Sequence, residues 1–324
     1  YPGLRAPFVF DDENQITFNN NLRQWWQPKN YAFEARPFGY LTFALNYAAG
    51  RLNPWGYRLV NVAIHAAATC VLFDLTRRIL LLPQFAKRYQ ERATELSLVI
   101  AAIWGAHPLQ TSAVTYVIQR FESLMGLFFL LALYALLRGA LSKSHKWHWF
   151  ALACTASLLG GATKEVIAVL PLVAVLFDRA FLASTWRQVV RERWLWHLAF
   201  WSAPLTAIAI SYNSLRLRTD VSAGFGLKSI SAWEYLRSQP AVLLHYLRLT
   251  IWPDKLILDH GWPVTPANDL LGIYGSGGLI LGLVIAGAIL YLRRPALGFL
   301  ILTWFLILAP TSSILPIADL CFEH

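Results

Sequence analysis

Long apolar runs separated by short polar connections cover most of this chain. A helix needs about 20 mainly apolar residues to cross a bilayer, and eight runs reach or approach that length. Two further stretches, 38–50 and 233–252, are too short or too rich in charge for ordinary spans, so we predict interfacial helices there. The eight predicted spans lie near 57–82, 95–107, 121–139, 147–162, 166–182, 194–212, 270–292 and 296–315.

The composition supports a polytopic α-helical membrane protein. Of the 324 residues, 56% are apolar and only 14% are charged, whereas a soluble domain carries about 25% charged residues. The net charge of +10 does not indicate nucleic-acid binding, because the basic residues lie in short loops between apolar runs. The three cysteines, Cys70, Cys154 and Cys321, share no metal-binding or redox spacing.

The loop charges predict an orientation. Arginine and lysine residues concentrate in the loops near 77–92, 138–146, 179–193 and 293–294, which places those loops in the cytoplasm. Most acidic residues then fall on the opposite, outer face. We predict four regions: 1–56, an outer loop with an acidic motif and an interfacial helix; 57–212, transmembrane helices; 213–269, an outer loop with an interfacial or re-entrant helix; 270–324, two last spans and an outer loop.

The first outer loop carries the adjacent carboxylates Asp11, Asp12 and Glu13. Because neighbouring carboxylates repel one another, at least one pKa is expected to be raised, as a general base requires. Oxygen ligands of this kind also suit a divalent cation. A solvated loop or a helix start is the structural alternative.

Other charged residues fall at the predicted outer ends of spans. His107 and Arg120 bracket a short outer connection, and an arginine there suits a lipid phosphate; a pair with Glu122 or snorkelling to the interface is the alternative. Lys164 and Glu165 occupy a hairpin tip between two spans, where they either pair with each other or contribute to a site.

Taken together, these motifs resemble the membrane O-glycosyltransferases of the GT-C superfamily, and specifically bacterial relatives of the TMTC and PMT-type protein O-mannosyltransferases. The matching strings are Phe8-Val9-Phe10-Asp11-Asp12, Arg36-Pro37, Asn53 to Asn61, His107 to Thr111, Gln119-Arg120, Lys164-Glu165 and Phe322-Glu323-His324.

The resemblance implies a glycosyltransferase that moves a sugar from a polyprenyl-phosphate donor to a serine or threonine hydroxyl of a protein, with inversion expected. The active site would face the periplasm, in a bacterial inner membrane. The resemblance places catalysis on Asp11 and Asp12, with a divalent cation there left open. We expect the donor phosphate to bind Arg120, Lys164, His107, Arg36 and His324, supported by Glu165, Glu122 and Glu323.

The chain also departs from the family pattern. Family members begin with a span before the acidic loop, and many carry tetratricopeptide repeats, neither of which this sequence contains. Two alternatives therefore stay open: a GT-C transferase acting on a glycolipid or a polysaccharide, and a non-catalytic scaffold subunit of a larger membrane assembly.

Overall fold

The computed structural model describes residues 2–27, 35–217, 227, 230–254, 256–258 and 260–321, without the side chains of 213–217. The regular structure in these residues is helical, which confirms the predicted all-α class. The α-helices are α1 (Pro37–Gly50), α2 (Pro54–Leu80), α3 (Pro83–Tyr89), α4 (Ala93–Gly105), α5 (Thr111–Thr115), α6 (Arg120–Leu141), α7 (Lys146–Gly161), α8 (Leu170–Phe181), α9 (Trp186–Phe200), α10 (Ser202–Leu217), α11 (Ala232–Ile251), α12 (Ser276–Arg293) and α13 (Pro295–Leu308).

Three helical segments are long and apolar enough to cross a membrane: Pro54–Leu80, Val117–Leu141 and Leu271–Arg293. Each of the other predicted spans coincides with helix in the structure, but as shorter pieces. The apolar run at 194–212, for example, is divided between α9 and α10 at Trp201. The structure therefore contains helices at the positions of the eight predicted spans. The number of membrane crossings stays a prediction.

Local sequence signals explain where several helices begin. The side chain of Asn53 accepts a hydrogen bond from the Trp55 amide, and Pro54 occupies the first turn of α2, where no intrahelical donor is needed. Ser231 and Glu234 form a reciprocal capping box at the start of α11. Such caps satisfy backbone donors that would otherwise be unpaired.

Residues 1–214 form one compact unit in which α6 is central. This helix packs against α2, α7 and α8, and Ala132, Ala135 and Leu136 on it are fully inaccessible to solvent. At the end of this unit that the loop charges assign to the cytoplasm, Arg193 on α9 pairs with the buried Asp178 on α8 at 2.8 Å. His197 Nε2 lies 2.8 Å from the same carboxylate, so α8 and α9 are joined by a buried polar cluster.

The other end of this unit has its own packed cluster, which we call the outer-loop core. It joins the first loop, α1, the start of α2 and the residues before α6. Ring contacts hold it together, including Phe43 against Phe121 at 5.4 Å and Phe8 against Tyr57 at 5.4 Å between centroids. Its buried members are Ile16, Leu22, Tyr40, Phe43, Ala44, Tyr57, Tyr116, Val117, Ile118 and Phe121.

Residues 215–323 form a second compact unit built on α11, α12 and α13. Helices α12 and α13 pack closely because Gly298 meets the backbone of Tyr291, where an added Cβ would lie 2.2 Å from the Tyr291 nitrogen. The outer surface of α12 is apolar, with exposed Leu279, Leu281 and Ile285. A continuous exposed apolar surface of this kind is typical of a helix facing lipid.

Substitution of Gly39 tests the packing of the outer-loop core. An added Cβ at this position of α1 would lie 2.1 Å from Cε1 of the buried Phe121, so we expect Gly39→Ala to lower the thermal unfolding midpoint, at a cost of about 1–3 kcal/mol. Gly50→Ala, in the same helix and with no atom within 4 Å of the added Cβ, is the matched control. Equal midpoints for the two variants in detergent would contradict this packing.

Candidate active site

Asp12 is completely buried and is held by backbone amides. Its Oδ1 accepts a hydrogen bond from Ile118 N at 2.8 Å, and its Oδ2 accepts from Val117 N at 3.3 Å and from Val9 N at 3.4 Å. Burial raises the pKa of Asp12, against the opposing effect of these amides and of Arg58. The sequence predicts a raised pKa from repulsion between carboxylates, and the structure shows burial as the cause. Asp12 therefore ties the first loop to the segment before α6.

Two buried arginines complete this connection. Arg58 donates to the carbonyls of Pro7 and Thr115, each at 2.7 Å, and to that of Ala6. Arg58 as a whole residue is 2% exposed. Because it reaches carbonyls on both sides of Asp12, Arg58 fixes the two backbone segments that enclose that carboxylate.

Arg120 occupies a fully buried position deeper in the same region. Its Nε donates to Asn61 Oδ1 at 2.7 Å, one terminal nitrogen donates to Tyr57 O at 2.7 Å, and the other donates to Thr42. The guanidinium also lies over the Phe43 ring, 4.5 Å from its centroid. In this structure Arg120 joins α1, α2 and α6, so the geometry supports a positioning role, and contact with a donor phosphate stays a prediction.

Asp11, unlike its neighbour, is exposed. Its backbone amide donates to the hydroxyl of Tyr116 at 3.1 Å, which anchors the residue while leaving the side chain at the surface. Burial raises the pKa of Tyr116, so this phenol stays neutral as a fixed partner. Of the two adjacent aspartates, Asp11 is the one whose carboxylate a substrate can reach.

At the hairpin tip between α7 and α8, one lysine and one arginine form ion pairs with glutamates. Lys164 Nζ contacts Glu122 Oε1, and Arg36 pairs with Glu165 at 3.3 Å. The Lys164 side chain is only 11% exposed. Burial, together with repulsion from Arg36, lowers the pKa of Lys164 to about 7. Burial alone would raise the pKa of Glu165, but the charge of Arg36 holds it below its usual value.

The ion-paired cluster of Arg36, Glu122, Lys164 and Glu165 rests on the outer-loop core. Phe38 N, in the first turn of α1, donates to Ala162 O in the hairpin tip at 3.0 Å. The Arg36 guanidinium lies 5.1 Å from the centroid of the Phe121 ring. Asp11 contacts the same core through Tyr116. The acidic loop and the cationic tip therefore both pack on the outer-loop core.

The structure describes His107 but neither Glu323 nor His324 among the remaining predicted residues. His107 precedes the short helical turn Pro108–Gln110, and its Nδ1 accepts a bond from Leu109 N at 3.3 Å, a local capping arrangement. Glu323 and His324 lie outside the described residues. No role for Arg58, Asn61 or Tyr116 is predicted from the sequence. An arginine and an asparagine inside an apolar run were the available signal for the first two.

Comparison with known proteins supports the resemblance that the motifs predict. The chain is 31% identical over 169 residues to human protein O-mannosyl-transferase TMTC2, covering 45% of this chain and 18% of the relative. It is 26% identical over 295 residues to Drosophila melanogaster Tmtc2, covering 81% of this chain and 29% of the relative.

Human TMTC3 is 29% identical over 179 residues, covering 49% of this chain and 18% of that protein. The matched segments thus span less than a third of these relatives. No protein-family model matches the chain, and no solved structure matches it. Sequence similarity to TMTC protein O-mannosyl-transferases, which are GT-C superfamily members, is nevertheless clear.

The two aspartates are expected to respond differently to the same substitution. Asp12→Asn places an amide NH₂ against backbone N–H donors in a buried site, so we expect a loss of about 1–3 kcal/mol and a lower unfolding midpoint. Asp11→Asn changes an exposed side chain and is expected to leave the midpoint unchanged. Thermal unfolding of both variants in the same detergent measures the difference, and the reverse order would contradict these assignments.

Proposed function

We propose that this chain, a relative of the TMTC protein O-mannosyl-transferases, transfers a sugar from a polyprenyl-phosphate donor to a serine or threonine hydroxyl of a protein. The reaction takes place on the periplasmic face of a bacterial inner membrane. The observation that carries the proposal is the placement of one exposed carboxylate and an ion-paired cationic cluster on the same outer-loop core.

Asp11 serves as the general base. A serine or threonine hydroxyl is a weak nucleophile at neutral pH, and a carboxylate that accepts its proton assists attack on the anomeric carbon. The new bond joins the acceptor oxygen to that carbon, while the bond from the carbon to the donor phosphate oxygen breaks. The proton goes to Asp11, and polyprenyl phosphate leaves with the bonding electrons. Attack opposite to the leaving group inverts the anomeric centre.

Arg36 and Lys164 stabilise the departing phosphate. Charge builds on the phosphate as the glycosidic bond breaks, and fixed cations lower the energy of that transition state. In the structure each cation has a carboxylate partner, so the cluster is close to neutral. A bound phosphate takes over as partner of one or both cations. The Nε of Arg36 is buried with no acceptor among the described residues, which leaves a donor for that purpose.

Arg120 acts as a positioning residue in this proposal. Its donors are occupied by Asn61, Tyr57 and Thr42, and it holds α1, which begins next to Arg36. Both oxygens of Asp12 accept backbone amides, so the pair of aspartates is poorly arranged to chelate a divalent cation. The proposed reaction uses none.

The membrane supplies the donor. Exposed apolar helix surfaces, such as that of Pro54–Leu80, give the polyprenyl chain a lipid environment beside the outer ends of the helices. The acceptor protein approaches Asp11 from the aqueous side. The predicted eight crossings and the cytoplasmic location of the basic loops are parts of this proposal.

Removal of the base tests the proposal directly. We expect Asp11→Asn to reduce sugar transfer at least about a hundredfold, since a positioned general base contributes about 10²–10⁴-fold. The assay uses the purified protein in lipid, polyprenyl-phosphate mannose and an acceptor polypeptide rich in serine and threonine. Glu13→Gln, a neighbouring exposed carboxylate, is the matched control and is expected to keep activity. Full activity of Asp11→Asn would overturn the base assignment.

The low pKa of Lys164 predicts a pH dependence of donor use. With a pKa of about 7, Lys164 is charged below neutrality and loses its charge as the pH rises, so the KM for the donor is expected to rise above about pH 7. Lys164→Arg keeps its charge throughout this range and is expected to remove that rise. A wild-type KM that does not change between pH 6 and pH 9 would contradict the role of Lys164 in donor binding.

A further inference from the structure

Two histidines and one cysteine converge within the unit formed by residues 215–323. His245 lies on α11, His260 lies in the segment that follows it, and Cys321 lies beyond α13. One ligand atom from each residue falls within 4.8 Å of the other two. We propose that these three side chains bind a thiophilic divalent cation, with Zn²⁺ as the best fit. The site does not depend on the proposed transferase activity.

The ligand chemistry selects the ion. A thiolate and two imidazoles are the donors that zinc prefers, at about 2.3 Å for sulfur and 2.0–2.1 Å for nitrogen. Tetrahedral coordination at those lengths requires ligand atoms ~3.5 Å apart. Side-chain rotations that move the ligand atoms by about 1 Å therefore complete the site. Calcium and magnesium are disfavoured because this set of three residues offers no oxygen ligand. The three ligands leave one coordination position for water or a further residue.

Hydrogen bonds hold the three ligand segments in place. The Gln239 amide, on α11, donates to Leu320 O at 3.5 Å, next to Cys321. Thr265 N donates to Ser238 Oγ at 2.9 Å and Arg237 Nε donates to Thr265 O at 2.7 Å, which fixes the segment that carries His260. Both segments are therefore fastened to the helix that carries His245.

An apolar shell surrounds the ligands. Leu320 packs with Ile230 and Tyr235 in a buried cluster that also contacts Trp262. The Trp262 ring lies 5.0 Å from the ring of His245, and Cys321 is 3% exposed. Such a shell limits water access and strengthens metal–ligand bonds.

The turn between His260 and Trp262 requires a glycine. Gly261 has φ of +50°, a conformation that residues with a Cβ rarely adopt. This turn directs the chain so that the histidine and the tryptophan both approach His245, at 5.0 Å between ring centroids in each case. The turn at Gly261 and the tertiary hydrogen bonds thus both favour the same arrangement of the three ligand side chains.

Cobalt provides a spectroscopic test. The full chain is purified with an affinity tag that contains no histidine, stripped with EDTA and titrated with Co²⁺. We expect one equivalent to produce a sulfur-to-metal charge-transfer band in the near ultraviolet and tetrahedral d–d bands in the visible, and we expect Zn²⁺ to displace it. Zinc is also expected to raise the thermal unfolding midpoint of the stripped protein.

Variants assign the signal to residues. Cys321→Ser is expected to abolish the charge-transfer band, whereas Cys70→Ser, at an exposed cysteine, is the control and keeps it. Since Cys321→Ser alters a buried position, His260→Gln gives a second test at a partly exposed one. It is expected to weaken Zn²⁺ binding at least about tenfold, since even changes outside the ligand shell cost about 10–100-fold. Absence of a thiolate band, or its persistence in Cys321→Ser, would overturn the proposal.

Discussion

The candidate active site depends on burying charge inside an apolar protein. Arg58, Asp12, Arg120 and Asn61 are all nearly inaccessible to solvent and lie among aromatic side chains. A buried charge is tolerated only where hydrogen bonds compensate for the lost water. For Asp12 and Arg58 the compensation comes from backbone groups of the first loop and of the segment before α6, and for Arg120 it comes from α1 and α2. The cost of leaving these charges unpaired therefore fixes the conformation of both segments.

This constraint explains why two adjacent aspartates differ so strongly. Asp12 accepts hydrogen bonds from the amides of Val9, Val117 and Ile118, while Asp11 donates its backbone amide to Tyr116 and is exposed. One residue holds the loop in place, and the other is presented by it. The buried neighbour thus fixes the backbone at the proposed general base, whose own side chain lies at the surface.

The cations of the site are paired with side chains rather than with backbone groups. Arg36 and Lys164 have carboxylate partners that are side chains, Glu165 and Glu122, and side-chain partners exchange more readily than backbone ones. A donor phosphate then meets cations that are already positioned but whose partners can be replaced. In Arg120 the acceptors are mostly backbone carbonyls and a buried asparagine, so that arginine is fixed.

Much of this protein could be predicted without coordinates. Apolar runs of helical length determined the all-α class, because a backbone in lipid must satisfy its hydrogen bonds internally. In the structure, Asn53 with Pro54, and Ser231 with Glu234, form helix starts whose signals are local in the sequence. The motifs around Asp11, Arg120 and Lys164 predicted a relationship to O-mannosyl-transferases that the comparisons support. All of these signals act over a few residues or along one helix.

The order of residues along the chain therefore specifies the class of protein, the position of its helices and the residues from which a site can be built. Folding of the whole chain determines which of Asp11 and Asp12 is exposed and which cation is fixed. It also brings His245, His260 and Cys321 together. The physical reason is that exposure, ion pairing and ligand convergence depend on contacts between residues distant in the chain. Asp12 and Ile118 lie 106 residues apart, and no local sequence pattern predicts their hydrogen bond.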